Sequence, residues 1–356
     1  MSLPTYRSSS RRQRASWGVR VAGATAFLAT CALVVRHQAR KAEAAHPPRG
    51  RLLMVNGVRV HVVERGDADA PPLVLLHGNG AMAEELLLSG LVNRAAVRYR
   101  VLVFDRPGYG HSERPAGTTW DPPAQAALIH AALDQLGVRR PIVLGHSWGA
   151  MVAVAMALSR PMDVSALVLL AGYVHPSVRM DVPWMAAPAL PLLGRLMRHT
   201  VSPLLSRLLW PAFTWRLFSP REVTEPFKSD YPVWMSLRPS QLQAAAAESA
   251  LMVPSAIKLQ RRYGELQLPV VLVAGEQDRM LSTRWQAEWL HKALPGSRLK
   301  VVPQAGHMVH HVATHEVMKA IDEAAEMAHG PKPASRRSTE RNAAAAAGAQ
   351  GEAARM

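Results

Sequence analysis

The sequence predicts an α/β fold: a mostly parallel eight-stranded sheet flanked by helices, with a block of helices inserted ahead of the last two strands. Three observations predict it. Short apolar runs alternate with helical stretches on both sides of a central gap, which is the pattern of parallel strands joined by crossover helices. The segment Gly145-His146-Ser147-Trp148-Gly149 falls where one such run turns into a helix. The gap itself, from about Tyr173 to Gln267, is too long for a plain loop.

The elements follow in order. "RLLMVNGVRVHVVERG" (51–66) holds two strand-like runs around Asn56-Gly57, a strong hairpin signal that puts antiparallel strands at one edge. "PPLVLLHG" is the next strand, with a helical stretch near 82–97. "YRVLVFDRPG" follows, with a helix near 122–136. "RPIVLGHS" leads into the helix from Trp148, and "VSALVLLAG" (164–172) is the fourth strand of the alternating series. After the gap come "LPVVLVAGEQD" (268–278), a helix near 282–293, "SRLKVVPQAGH" (297–307) and a helix near 308–328. The gap contains Trp184, Trp210, Trp215 and Trp234, several prolines and helical patterns such as "PLLGRLMRHTVSPLLSRLL". It reads as a helical cap over the carboxyl edge of the sheet. The expected domains are a leader (1–50), a core (51–173 and 268–329), a cap (174–267) and a disordered, low-complexity tail (330–356).

The formal charge of +16 is concentrated at the ends: +9 in residues 1–51 and +3 in residues 330–356. The remaining 278 residues are close to balanced, and no nucleic-acid motif accompanies the basic ends. One cysteine, Cys31, excludes an intrachain disulfide. In the leader, basic "YRSSSRRQRASWGVR" precedes apolar "VAGATAFLATCALVV" (21–35), and "RHQARK" follows. Trp17 to Val35 can span a bilayer if Arg20 snorkels. Membrane association through residues 17–35 is therefore expected. The larger basic excess before the apolar run favours a cytoplasmic N-terminus and an extracytoplasmic catalytic domain. "AEAAH" (42–46) also offers small residues for signal cleavage and secretion.

Reactive residue types collect at the strand ends: His77-Gly78-Asn79, Asp105, Ser147, Asp278 and His307. In such sheets ligands bind at those ends. A serine hydroxyl is a poor nucleophile until a base activates it. The tight strand-to-helix turn would expose Ser147, and Gly145 and Gly149 would permit that turn. The helix from Trp148 aims backbone N–H groups at any oxyanion that forms. Among 15 histidines, His307 follows the last strand in a glycine-preceded loop and is the expected base. His310 and His311 lie on the next helix, less well placed. His146 should point away from the serine, His77 and His111 should be structural, and His315 and His329 should lie on the surface. Asp278 follows a strand between serine and histidine and is the expected orienting acid. Glu276 should face differently, and Asp181 is the alternative acid. Asn79 N–H and Trp148 N–H would form the oxyanion pair. Asp105, in "DRPGYGHS", reads as the acceptor of a turn. The set calls for no cofactor and no metal.

These stretches, "LVLLHGNG", "VFDRPGYGHS", "VLGHSWGA", "VLVAGEQD" and "AGHMVH", resemble in order the α/β-hydrolase superfamily over roughly Leu52 to Met327. The resemblance implies Ser147 as nucleophile, His307 as base, Asp278 as acid, and Asn79 and Trp148 as oxyanion donors. It also implies a small-molecule acyl substrate. Family members that open epoxides or displace halide carry aspartate at the elbow, so Ser147 points to acyl transfer to water. Carbon–carbon cleavage, cofactor-free peroxidation and a non-catalytic binding role are the alternatives. The cap's first half (174–221) has six Arg and one Asp among aromatics and leucines, suited to an anionic membrane surface or an amphiphilic substrate.

Overall fold

The computed structural model describes residues 9–177, 190 and 192–329, and side chains from 17 to 328 within that set. The expected tail (330–356), Asp181 and Trp184 lie outside the described residues.

Eight strands form one sheet in the order β1-β2-β4-β3-β5-β6-β7-β8. They are β1 (Arg51–Val55), β2 (Val58–Arg65), β3 (Pro72–Leu76), β4 (Arg100–Phe104), β5 (Ile142–His146), β6 (Ala166–Leu170), β7 (Val270–Gly275) and β8 (Arg298–Val302). The β1–β2 hairpin and its junction with β4 are antiparallel, and every other pairing is parallel. Asn56 (φ 49°) and Gly57 (φ 79°) make the hairpin turn with the left-handed backbone that an Asn-Gly pair favours. β5, β6 and β7 are buried at every position. Their unbroken Val/Leu runs are what a parallel sheet covered on both faces needs.

Helices α1 (Ser9–Ala45), α2 (Ala83–Leu88), α3 (Leu91–Ala95), α4 (Pro122–Gln135) and α5 (Trp148–Ser159) precede or interleave the first strands. Helices α6 (Leu193–His199), α7 (Val201–Phe218), α8 (Glu225–Asp230), α9 (Val233–Ser236) and α10 (Pro239–Gln260) lie between β6 and β7. Then come α11 (Trp289–Ala293), α12 (Val309–Val312) and α13 (Thr314–His329). Residues 148–158 of α5 are all buried, because α5 packs against the sheet, α4 and α10 at once. A helix apolar on all sides fits no other position in a globular chain.

Three expected helices are each broken. Gly90, at φ 75°, separates α2 from α3. A π-helical turn, Arg284–Glu288, precedes α11. Ala313, outside helical geometry, separates α12 from α13. Leader and apolar run form one continuous helix, α1, whose stretch Trp17–Ala45 is long and apolar enough to cross a membrane by length and composition. Its second half docks on α6, α7 and α9, burying Cys31, Val35 and Ala42.

Candidate active site

The site is built at the end of β5. Ser147 sits between β5 and α5 at φ 54°, ψ −115°, a left-handed conformation that costs a non-glycine residue energy and persists only where its surroundings enforce it. They do so on both sides. Ser147 N–H donates to Leu170 O at 3.0 Å, and Ser147 O accepts from Tyr173 N at 3.1 Å. The flanking glycines are there for clearance. A Cβ on Gly145 would lie 2.3 Å from Gly149 O, and one on Gly149 would lie 2.4 Å from Leu76 O. Leu76 is fixed by pairing to β4 and β5, so it cannot retreat. Gly149→Ala is therefore expected to lose at least about 2 kcal/mol of stability in urea unfolding. A loss below about 0.5 kcal/mol would mean that the turn has slack.

His307 and Asp278 meet after β8 and β7. His307 Nδ1 is 2.7 Å from Asp278 Oδ2. The other carboxylate oxygen, Oδ1, accepts from Met280 N at 2.7 Å and Leu281 N at 2.9 Å. Both Asp278 oxygens are thus committed, which fixes the carboxylate and, through it, the imidazole. Glu276 is exposed and points to the β8 loop, accepting from Gln304 N. The His307 loop is also held from above. His307 N–H donates to Leu217 O of α7 at 3.0 Å. Gly306 passes so close that a Cβ there would lie 2.2 Å from Ser219 O.

Ser147, His307 and Asn79 line one cavity of about 80 Å³. Trp210, Phe213 and Leu217 of α7, with Phe227, Tyr231 and Met252, bring the helices between β6 and β7 over it. Trp148 N–H is at the first position of α5 and has no acceptor within the helix. The Trp148 indole is fully buried in the core rather than on the cavity wall. Among the described residues its Nε1 has no partner.

The loop bearing Asn79 is tied down by groups that the sequence did not single out. Arg106 Nε donates to His77 O at 2.8 Å and its Nη2 to Gly78 O at 2.8 Å. The same guanidinium pairs with Glu248 of α10, and both side chains are fully buried. Tyr109 Oη lies 2.8 Å from Asn79 Oδ1 and 2.7 Å from Glu248 Oε2, so its one proton is shared between two acceptors. Asn79 Nδ2 donates to Ser249 Oγ at 3.0 Å. No spacing rule links position 106 to position 248, so only the fold reveals the pair. Asp105 is an acceptor of the turn: it takes Ala83 N at 2.7 Å, His111 N at 3.0 Å and His61 Nδ1 at 2.7 Å.

The other histidines have defined tasks. His77 Nε2 accepts from Arg106 N while its Nδ1 meets Gly78 O. Burial, then the Arg106 charge, pushes the imidazole down from 6.5 to about 3. His146 lines the cavity, although the sequence suggested it would point elsewhere, and its Nε2 donates to His307 O at 3.2 Å. Burial foremost, then His310 and His307, holds His146 well below the usual imidazole range. His310 and His311 turn away from Asp278, and both meet Glu85. Burial pushes the Glu85 carboxyl up, but the two histidines outweigh it and hold it well below the usual range. His315 is exposed, and the His329 side chain lies outside the described residues.

Two buried imidazoles with depressed pKa values set an acid limit. The unfolded chain takes up protons at these sites near pH 6.5, whereas the folded chain resists until far lower pH. Stability is therefore complete above about pH 6.5 and falls as pH drops towards the folded values. The melting temperature should decrease from pH 7 to pH 5, with a shallower slope in His77→Gln. A flat profile over that interval would refute the assignment.

A covered, mostly parallel sheet with serine, carboxylate and histidine after β5, β7 and β8 defines the α/β-hydrolase class of architecture. The chain belongs to that family: the sequence model for the alpha/beta hydrolase fold matches residues 71–314. It is 28% identical over 269 residues to a proposed 2-succinyl-6-hydroxy-2,4-cyclohexadiene-1-carboxylate synthase of Bacillus subtilis, covering 72% of this chain and 90% of the relative. It is 28% identical over 257 residues to a proposed carbamate hydrolase, RutD, of Shigella flexneri, covering 67% and 85%. Among solved structures, a membrane phospholipase A described as a bacterial virulence factor is similar in fold, with a TM-score of 0.60 and 22% identity over 88% of this chain and 99% of that one. Hydrolases thus recur among its relatives, and the fold and family support a hydrolase acting on a small molecule.

Proposed function

We propose that the protein is a membrane-tethered serine hydrolase that cleaves an ester-type bond of an apolar or amphiphilic small molecule through an acyl-enzyme intermediate. The observation that carries this reading is the Asp278-bound His307 facing the same apolar cavity as the strained Ser147. In the proposed cycle His307 Nε2 takes the Ser147 proton as Oγ attacks the acyl carbon. Asp278 holds Nδ1–H and stabilises the imidazolium. The oxyanion receives the N–H groups of Asn79 and Trp148, and the proton on His307 passes to the leaving alcohol. Water, activated by the same imidazole, then releases the acid. The cavity's aromatic and methionine lining supports an apolar acyl group.

The leader reading is a retained anchor. Ala42 is buried against the helices above the site, and Glu43 pairs with Arg238 at 3.0 Å. Cleavage near 42–46 would break that contact, which favours retention over secretion. The remaining readings are carbon–carbon or carbamate cleavage with the same residues, to which the curated relatives lend weight, cofactor-free peroxidation, and a non-catalytic binding role.

Purified full-length protein in detergent should turn over p-nitrophenyl acetate and butyrate and take up a fluorophosphonate probe stoichiometrically. Probe uptake without turnover of any ester would favour the other bond types. Absence of both would leave a binding protein.

A further inference from the structure

The helices over the site have a second face that the cavity does not use. On α7, Val201, Leu205, Leu208, Ala212 and Trp215 are exposed and recur at i, i+4, i+7, i+11 and i+14. That spacing draws one stripe along a helix. Leu208 is 76% exposed and Trp215 56%. On the opposite side, Trp210 and Leu217 line the cavity with Ser147. α6 and the residue before it extend the outer stripe: Leu192 is 86% exposed, and Leu193 and Leu196 are also open. Contiguous leucine on this scale marks an interaction surface. Its charges are of one sign. Arg195, Arg207 and Arg216 border it, and no Asp or Glu occurs between residues 190 and 218.

The packing of α1 identifies what covers this face. Residues 17–27 of α1 project with no burial, whereas Cys31 and Val35 are buried where α6 and α7 dock. His199, at the end of α6, borders Ala32, Val35 and Arg36. The apolar run of α1 therefore ends at the level at which α6 begins its contact. The free segment, Trp17 to Thr30, rises only about 20 Å, roughly two thirds of a hydrocarbon core of about 30 Å. A bilayer that accommodates Trp17–Val35 must then reach the docked helices, and the leucine stripe meets the boundary between headgroups and acyl chains.

We propose that the outer faces of α6 and α7 are seated in an anionic lipid bilayer beside α1, and that α7 forms the passage by which an acyl chain moves from lipid to Ser147. The proposal rests on the serine-hydrolase reading only for its second half. Arginines at the stripe's border match anionic headgroups, and the apolar residues match the acyl region. Because Leu217 O binds His307 N–H, the helix that meets the lipid also positions the base.

The test uses full-length protein reconstituted into phosphatidylcholine vesicles containing phosphatidylglycerol. A polarity-sensitive fluorophore on Leu208→Cys, in a Cys31→Ala background, should shift to the blue and be quenched by doxyl-labelled lipids. In Leu205→Asp/Leu208→Asp, turnover of a long-chain ester dissolved in the vesicles should fall at least about tenfold, while turnover of p-nitrophenyl acetate stays at the wild-type level. A label that remains in water overturns the seating. So does a label shielded but insensitive to doxyl lipids, which would place a second copy of the chain there. Equal loss on both esters, or no loss on the vesicle ester, overturns the passage. If wild-type protein turns over neither ester, the hydrolase reading fails, and the fluorescence still decides the seating.

Discussion

Replacing Ser147 by alanine is expected to lower ester turnover by at least about 10³-fold and to abolish fluorophosphonate labelling, with the fold intact. The hydroxyl is the only group lost, and the turn that carries it is held by main-chain bonds to Leu170 and Tyr173 that alanine keeps. His307→Ala should cost about as much, and the double variant little more, because residues acting as one unit do not add. Asp278→Asn should cost up to about 10⁴-fold: the amide keeps the shape but favours the wrong imidazole tautomer. Circular dichroism and single-turnover kinetics on the same preparations separate chemistry from folding. Near-wild-type turnover in Asp278→Asn would move the acid role to Asp181. Residual labelling in Ser147→Ala would remove the serine from the mechanism.

The largest stability loss should come from a residue about a hundred positions from the serine in sequence. Glu248→Ala leaves Arg106 as a fully buried, uncompensated charge among His77 O, Gly78 O and Gln125. Breaking such a pair from one side costs about 3–5 kcal/mol, or roughly 10 °C in melting temperature for a domain of this size. Arg106, which holds the His77 and Gly78 carbonyls, would lose its anchoring partner, so the Asn79 loop should loosen as well. The variant should therefore lose turnover beyond its loss of folded protein, visible as a lower rate per labelled site. A melting temperature within about 2 °C of wild type would show that the pair is dispensable.

Much of this was legible in the sequence, for identifiable reasons. β6 and β7 are buried at every position and carry no polar side chain that would blur a strand. Asn56-Gly57 has few conformational options. Gly145 and Gly149 flank Ser147 because backbone atoms stand where their side chains would be, and clearance of that kind leaves a mark at fixed spacing. What could not be read is long-range pairing between residues with no periodic relation. Arg106 meets Glu248 across 142 positions, and Glu85 meets His310 and His311 across 225 and 226. The sequence puts His146 away from the serine but does not reveal its bond to the His307 carbonyl, because the ring's direction is set by how β5 and the β8 loop approach each other. The breaks at Gly90 and Ala313 were also hidden, since apolar periodicity continues through a short interruption.

The bond from Leu217 to the His307 loop and the close approach of Ser219 to it bear on how such proteins can be rebuilt. A helical insert is the natural segment to exchange when a new substrate range is sought, and its boundaries are usually placed at the sheet. Here a graft cut that way would discard Leu217 O, the acceptor of the His307 N–H, and Ser219 O, against which Gly306 is fitted. A donor insert would have to reproduce both carbonyls at the same height above β8, or the transplanted protein would gain a new lid and lose the seating of His307.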